Sequence, residues 1–162
     1  MPRIRLSPTL FDAVETVRLI ERAVGISLDL ELDTPFDPLG HAYETIDPIK
    51  MQILDLHSKA IDAAFATGIN YGIRQSAFFG VGDLTSTGAM YSAITRETGV
   101  EPRIDIDRLL APLGHDATTL EPIREHVLLY HEYAIQTAFN AGTVYGMAPW
   151  SLLFESVDEV QS

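Results

Sequence analysis

The strongest constraint on this chain is that it is written twice. Residues 36–73 align without a gap onto 110–147, and sixteen of those 38 positions are identical, where ordinary residue usage would give about two or three. The offset of 74 continues upstream: Ile20, Arg22 and Gly25 recur as Ile94, Arg96 and Gly99, and Leu30-Glu31-Leu32-Asp33 corresponds to Ile104-Asp105-Ile106-Asp107. One unit covers roughly 11–84 and the other 85–158. Self-similarity at a fixed spacing signals a repeated supersecondary unit. It predicts one compact domain over 1–162, two copies related by a pseudo-twofold axis.

Within one unit, a weak apolar periodicity (Leu10, Val14, Val17, Val24) predicts a helix over about 9–24, stopped at Gly25, with its equivalent over about 87–98, stopped at Gly99. From Ser27 to Asp33, Leu28, Leu30 and Leu32 alternate with Asp29 and Glu31, which is the strand period, and Ile104 and Ile106 alternate likewise with Asp105 and Asp107. A Pro-Leu-Gly-His loop follows at 38–41 and 112–115. Asp47-Pro48 then reads as an N-cap with proline at the first helical position, repeated more weakly by Glu121-Pro122, and opens a long helix over about 48–73 and 122–147. The expected fold class is mainly α, or α+β with short strands, built from a helix–short strand–loop–long helix unit.

The drift between the copies tests the long helix. At about 100° per residue, the identical positions from Ile49 to Gly72 fall in a single arc of about 160°. They are Ile49, Leu54, His57, Ala60, Ile61, Ala64, Phe65, Gly68, Tyr71 and Gly72. That arc is the expected buried face of a continuous helix. It carries a small residue at every fourth position: Ala60, Ala64, Gly68 and Gly72, and again Ala134, Ala138, Gly142 and Gly146. Glycine inside a helix is about 1 kcal/mol less favourable than alanine. Keeping two per helix in both copies implies close backbone approach, most economically between the two long helices.

Composition removes several function classes. Net charge is −12, with two lysines, Lys50 and Lys59, against nine arginines. A basic nucleic-acid footprint is missing, and an anionic membrane surface would repel the chain. The acid excess and low lysine suit a halophilic or GC-rich source. The most apolar stretch, 60–84, is interrupted by Asp62, Arg74 and Asp83, so no membrane span is expected. The first residues lack the apolar block of a signal peptide. The expected location is cytoplasmic or within a virion. With no cysteine, disulfides, thiolate metal sites and cysteine nucleophiles are excluded.

Four of the five histidines form pairs at the repeat offset, His41 with His115 and His57 with His131. His57 lies within the retained arc, so burial and a hydrogen-bond partner are expected for it. The blander reading is a core histidine satisfied by a backbone carbonyl or carboxylate. The sharper one is a divalent-metal site on His57 and His131, with Glu31, Asp33, Asp105, Asp107, His41 and His115 as further ligands or second-layer partners. No HExxH occurs: Glu125-His126 and His131-Glu132 have the wrong spacing, and a Glu-x-x-His motif is missing too. Gly80-Val81-Gly82 is not followed by a P-loop lysine. No nucleophile elbow is present. A resident cofactor is therefore not expected.

The copies differ on their drifted faces. Where the first long helix has Gln52, Leu56, Lys59, Ala66 and Asn70, the second has His126, Tyr130, Tyr133, Asn140 and Val144, with Trp150 and Phe154 downstream. Tyrosine and tryptophan are enriched where proteins meet. These residues point to a non-catalytic structural or interaction subunit of an oligomer or larger assembly, a virion or another multi-subunit particle being one setting. Its partners would be other proteins or further copies of itself. The competing reading is a metal-binding protein or metal-dependent hydrolase built on the paired histidines and carboxylates.

Overall fold

The computed structural model describes residues 13–77 and 87–147. Among these the chain is mainly helical. Helix α1 (Ala13–Val24) is followed by the one-turn α2 (Asp33–Phe36) and a 3₁₀ turn, Asp37–Leu39; the long α3 spans Tyr43–Ala77. Helix α4 (Thr87–Thr98), short α5 (Ile106–Leu110), a second 3₁₀ turn (Ala111–Leu113) and long α6 (Ala117–Met147) follow in the same order. The starts of α1 and α4, of the two 3₁₀ turns, and of α3 and α6 each lie 74 residues apart. The helix stops match as well. Gly25 and Gly99 both take a left-handed backbone, at φ 75° and 73°, and Gly40 and Gly114 do so at 67° and 72°. Glycine has no Cβ to oppose that conformation, so each ends its helical turn and re-aims the chain.

The expected strands are not formed. No strand occurs among the described residues, and 27–32 and 101–105 run as irregular segments. The alternation is nonetheless a burial pattern. Leu28, Leu30, Leu32, Ile104 and Ile106 are buried, while Asp29, Glu31, Asp105 and Asp107 are exposed. A period of two places every second side chain on the core, but a strand also needs a neighbour to share its backbone ladder, and here the neighbours are helices. The long helices also begin earlier than the Asp-Pro and Glu-Pro signals suggest. The carbonyl of Ala42 accepts from the amides of Thr45 and Ile46, so Asp47 lies inside α3 and is not its cap. In the second half Asp116 is the capping acceptor, its Oδ1 2.7 Å from the Thr119 amide. That bond holds the Asp116 carboxylate below its ordinary pKa. Pro48 and Pro122 are exposed, where each removes one helical hydrogen bond at a face open to water.

Helices α3 and α6 form the spine and run side by side in the same direction. A Cβ added to Gly68 would lie 2.2 Å from the Phe139 carbonyl oxygen, and one on Gly72 2.2 Å from that of Thr143. Reciprocally, Cβ atoms on Gly142 and Gly146 would lie 2.3 and 2.1 Å from the carbonyl oxygens of Phe65 and Ile69. The two backbones therefore touch, with Ala60, Ala64, Ala134 and Ala138 buried along the same contact. Two apolar clusters flank the spine. One gathers Leu30, Leu32, Phe36, Ile49 and Ile53 with Ile104, Leu110, Ile123 and Val127. The other joins Ile20, Ile61, Phe65, Met90, Ile94, Ile135 and Phe139. Helices α1 and α4 both pack on α3. Thr16 ties α1 down by donating to Asp62 at 2.6 Å, and Arg74 pairs with Glu97 of α4. Among the described residues no helix is long and apolar enough to cross a membrane.

Candidate functional site: two histidine pairs along the helix spine

The continuous helices carry His57 and His131 inward, between Ile53 and Val127 of one apolar cluster and Ala60 and Ala134 of the other. Both rings are buried, and they meet each other: Nδ1 to Nδ1 is 2.8 Å. Each outer nitrogen faces a backbone carbonyl, His57 Nε2 that of Leu28 at 2.9 Å and His131 Nε2 that of Pro102 at 2.6 Å. Leu28 and Pro102 occupy the same position in their respective irregular segments, so each histidine staples its own segment to the spine.

The proton count of this pair follows from its partners. A carbonyl only accepts, so both Nε2 atoms carry hydrogen, and the two Nδ1 lone pairs are left facing one another. One additional proton on that line completes three hydrogen bonds but places a positive charge in the core. Burial opposes this and lowers the His57 pKa, countered in part by the Leu28 carbonyl and the Asp29 carboxylate. A second proton is opposed more strongly. Burial, and then the charge on His57, push His131 down to about 4 despite the Pro102 carbonyl. Above that value the pair holds one extra proton at most.

The acids named with this pair lie elsewhere in the structure. Glu31 accepts from the Thr34 amide at 2.9 Å, and Asp105 accepts from that of Arg108 at 3.3 Å. Asp33 pairs with Lys50 at 2.7 Å and Asp107 with Arg124 at 3.2 Å, equivalent bridges in the two halves. Among the described residues no group of three or more histidines, aspartates or glutamates could hold a metal ion. The partners of the inner pair are each other and the carbonyls of Leu28 and Pro102.

His41 and His115 form a second, outer pair. Each follows a left-handed glycine, and their Nε2 atoms are 2.6 Å apart with the rings nearly perpendicular, at 75°. Both are half-buried. His126, which the sequence pattern placed only on a drifted face, reaches across the molecule to the Glu31 carbonyl at 2.6 Å and packs against Tyr130. Its signal in the sequence is that it replaces Gln52 of the other copy.

Tyr130 and Tyr133 lie exposed on the outer face of α6; Trp150 and Phe154 lie outside the described residues, as do Leu10 and Gly80-Val81-Gly82. Comparison with family models, with curated proteins and with solved structures gives no match.

Proposed function

We propose that this chain is a non-catalytic structural and interaction subunit, a tandem duplication folded about a pseudo-twofold axis, that self-associates through the outer face of α6. The observation that carries the reading is a one-sided apolar stripe on that helix. Leu129, Tyr133, Val144 and Met147 are 66%, 55%, 71% and 49% exposed, with Tyr130 beside them. At about 100° and 1.5 Å per residue they cover an arc of about 60° over about 27 Å, with Tyr130 at its edge. The same positions on α3 are Asp55, Lys59, Asn70 and Ile73, and Asp55 and Lys59 make an exposed ion pair at 2.8 Å.

The two long helices stand in the same order of elements, so the order of elements supplies no reason for the difference. An exposed apolar stripe on a helix, here interrupted by the exposed Gln136 and Asn140 between Tyr133 and Val144, marks a contact surface. A second copy of the chain fits it for an electrostatic reason. With a net charge of −12, most approaches between copies are repulsive. The stripe itself is uncharged, so an α6-to-α6 contact brings no like charges together at its centre.

Tyr133→Lys tests this. It puts on α6 the residue that α3 carries at the same position. Sedimentation velocity of the wild type should show an oligomer and that of the variant a monomer. At a dilution where both are monomeric, their thermal stabilities should agree within about 0.5 kcal/mol. A variant that melts early but associates like the wild type would mean that the face is covered by this chain itself, and would end the proposal.

A further inference from the structure

The exposed stripe of α6 points away from α3. At about 100° per residue, its azimuth lies about 180° from that of the small residues, Ala134 to Gly146, that meet α3. Two exposed side-chain amides, Gln136 and Asn140, interrupt the stripe at mid-length. The order of residues along it reads nearly the same from either end. At about 1.5 Å per residue, Leu129 and Met147 lie about 13.5 Å on either side of the level of Ala138, Tyr133 and Val144 about 7.5 and 9 Å, and Gln136 and Asn140 about 3 Å. Leu129 and Met147 share one azimuth, Tyr133 and Val144 differ by about 20°, and Gln136 and Asn140 by about 40°. Charge is unevenly spread along the same helix. Residues 133–147 contain no aspartate, glutamate, lysine, arginine or histidine, whereas Glu125 and Glu132 stand exposed in the first half.

We infer that two copies of the chain pair through α6 in antiparallel orientation, about a twofold axis at the level of Ala138, with Gln136 and Asn140 setting the register. The inference rests on the self-association proposed above and adds its geometry. A twofold axis crossing between two antiparallel helices inverts height and keeps azimuth. Leu129 then meets the partner's Met147, Tyr133 meets the partner's Val144, and each contact occurs twice, as an isologous interface requires. Gln136 meets the partner's Asn140. A side-chain amide both donates and accepts, so these two bond each other on both sides of the axis. A polar pair inside an apolar helix contact fixes register, because a slip leaves each amide against an apolar side chain. Electrostatics select the orientation. A parallel pair brings Glu125 and Glu132 of the two copies to the same level and aligns the two helix dipoles. The antiparallel pair sets Glu132 at the level of the partner's Val144, in the charge-free half, and opposes the dipoles.

The chain has no cysteine, so one introduced thiol carries one nitroxide label without background. Glu125→Cys and Glu132→Cys, both at exposed positions beside the stripe, are labelled separately in the full chain. Their label-to-label separations are read by pulsed dipolar electron paramagnetic resonance, with sedimentation velocity on the same samples. With helix axes about 10 Å apart, the antiparallel pair predicts backbone separations of about 40 Å at position 125 and about 20 Å at position 132. The difference of about 20 Å does not depend on the length of the label. Short and equal separations at both positions, in a sample that sediments as an oligomer, would overturn the antiparallel arrangement and leave the α6 contact standing. Monomers with no dipolar coupling at either position would remove the self-association on which the inference rests.

Discussion

Replacing Gly68 with alanine adds one methyl group, and the structure specifies what that group meets. Its position is 2.2 Å from the Phe139 carbonyl oxygen and 3.0 Å from both the Phe139 carbonyl carbon and the Thr143 amide nitrogen. Ordinary contact begins near 3.4 Å, so the shortfall is more than 1 Å. All three obstacles are backbone atoms of a helix, which cannot rotate aside as a side chain can. The helices must part, and a gap of 0.5–1 Å already forfeits about a quarter to a half of the dispersion attraction across it. Overpacking of a core costs about 1–3 kcal/mol, and the rigid obstacle places this case at the upper end. The alanine returns about 1 kcal/mol in helix propensity. The net expectation is a loss of about 2 kcal/mol, read as a melting temperature lower by about 4–8 °C for a chain of this size. Gly88→Ala is the control, because nothing lies within 4 Å of its added methyl. It should be neutral or stabilising by up to about 1 kcal/mol. Gly68→Ala/Gly142→Ala should lose less than the sum of its parts, since the first methyl already separates the helices. A Gly68→Ala protein melting at or above the wild-type temperature would refute the close-contact argument.

Two further outcomes follow from the interior. His57 and His131 titrate lower in the folded chain than the ordinary imidazole value of 6.5, His131 at about 4. Between those limits the unfolded chain binds more protons, so stability is full above the ordinary value and falls as pH drops toward 4. Melting followed from pH 7 to 5 should show the decline in the wild type and a flatter profile in His131→Gln; a flat wild-type profile would contradict it. Thr16→Val removes the hydroxyl that donates to Asp62 and should cost about 2 kcal/mol, measured by urea denaturation. An unchanged midpoint would show that this hydrogen bond contributes no net stability.

The helical character was legible because two similar stretches of the sequence keep the same residues on one arc of a helix. Positions such as Ile49, Ala64 and Tyr71 kept to one arc of the helix while their neighbours changed, so a period that is weak in either copy became clear in the comparison. The irregular segments were not legible in the same way. Leu28, Leu30 and Leu32 alternate as a strand does, but whether alternation becomes a strand depends on a neighbouring backbone with free hydrogen-bonding groups, and no local pattern reports that. The starts of α3 and α6 were misplaced for a related reason. A proline at the first helical turn is a good signal only when no earlier acceptor caps the helix, and Asp116 does so five residues before Glu121. The contact of His57 with His131 spans 74 residues. The repeat made the two residues equivalents, but equivalence does not say whether they meet; that depends on α3 and α6 running parallel in register. The α6 stripe was partly visible as two tyrosines. Val144 was legible on that face as well, and Leu129 and Met147 join it by their exposure in the structure.

The most direct test of the account is sedimentation velocity of the untagged chain over a range of concentrations, at low and at high salt. Contact through an uncharged apolar face, in a molecule of net charge −12, predicts a self-associated species that persists or tightens as salt rises. Screening removes the repulsion between copies and leaves apolar burial intact. A monomer at every concentration and salt, or an oligomer that dissolves when salt is added, would contradict it.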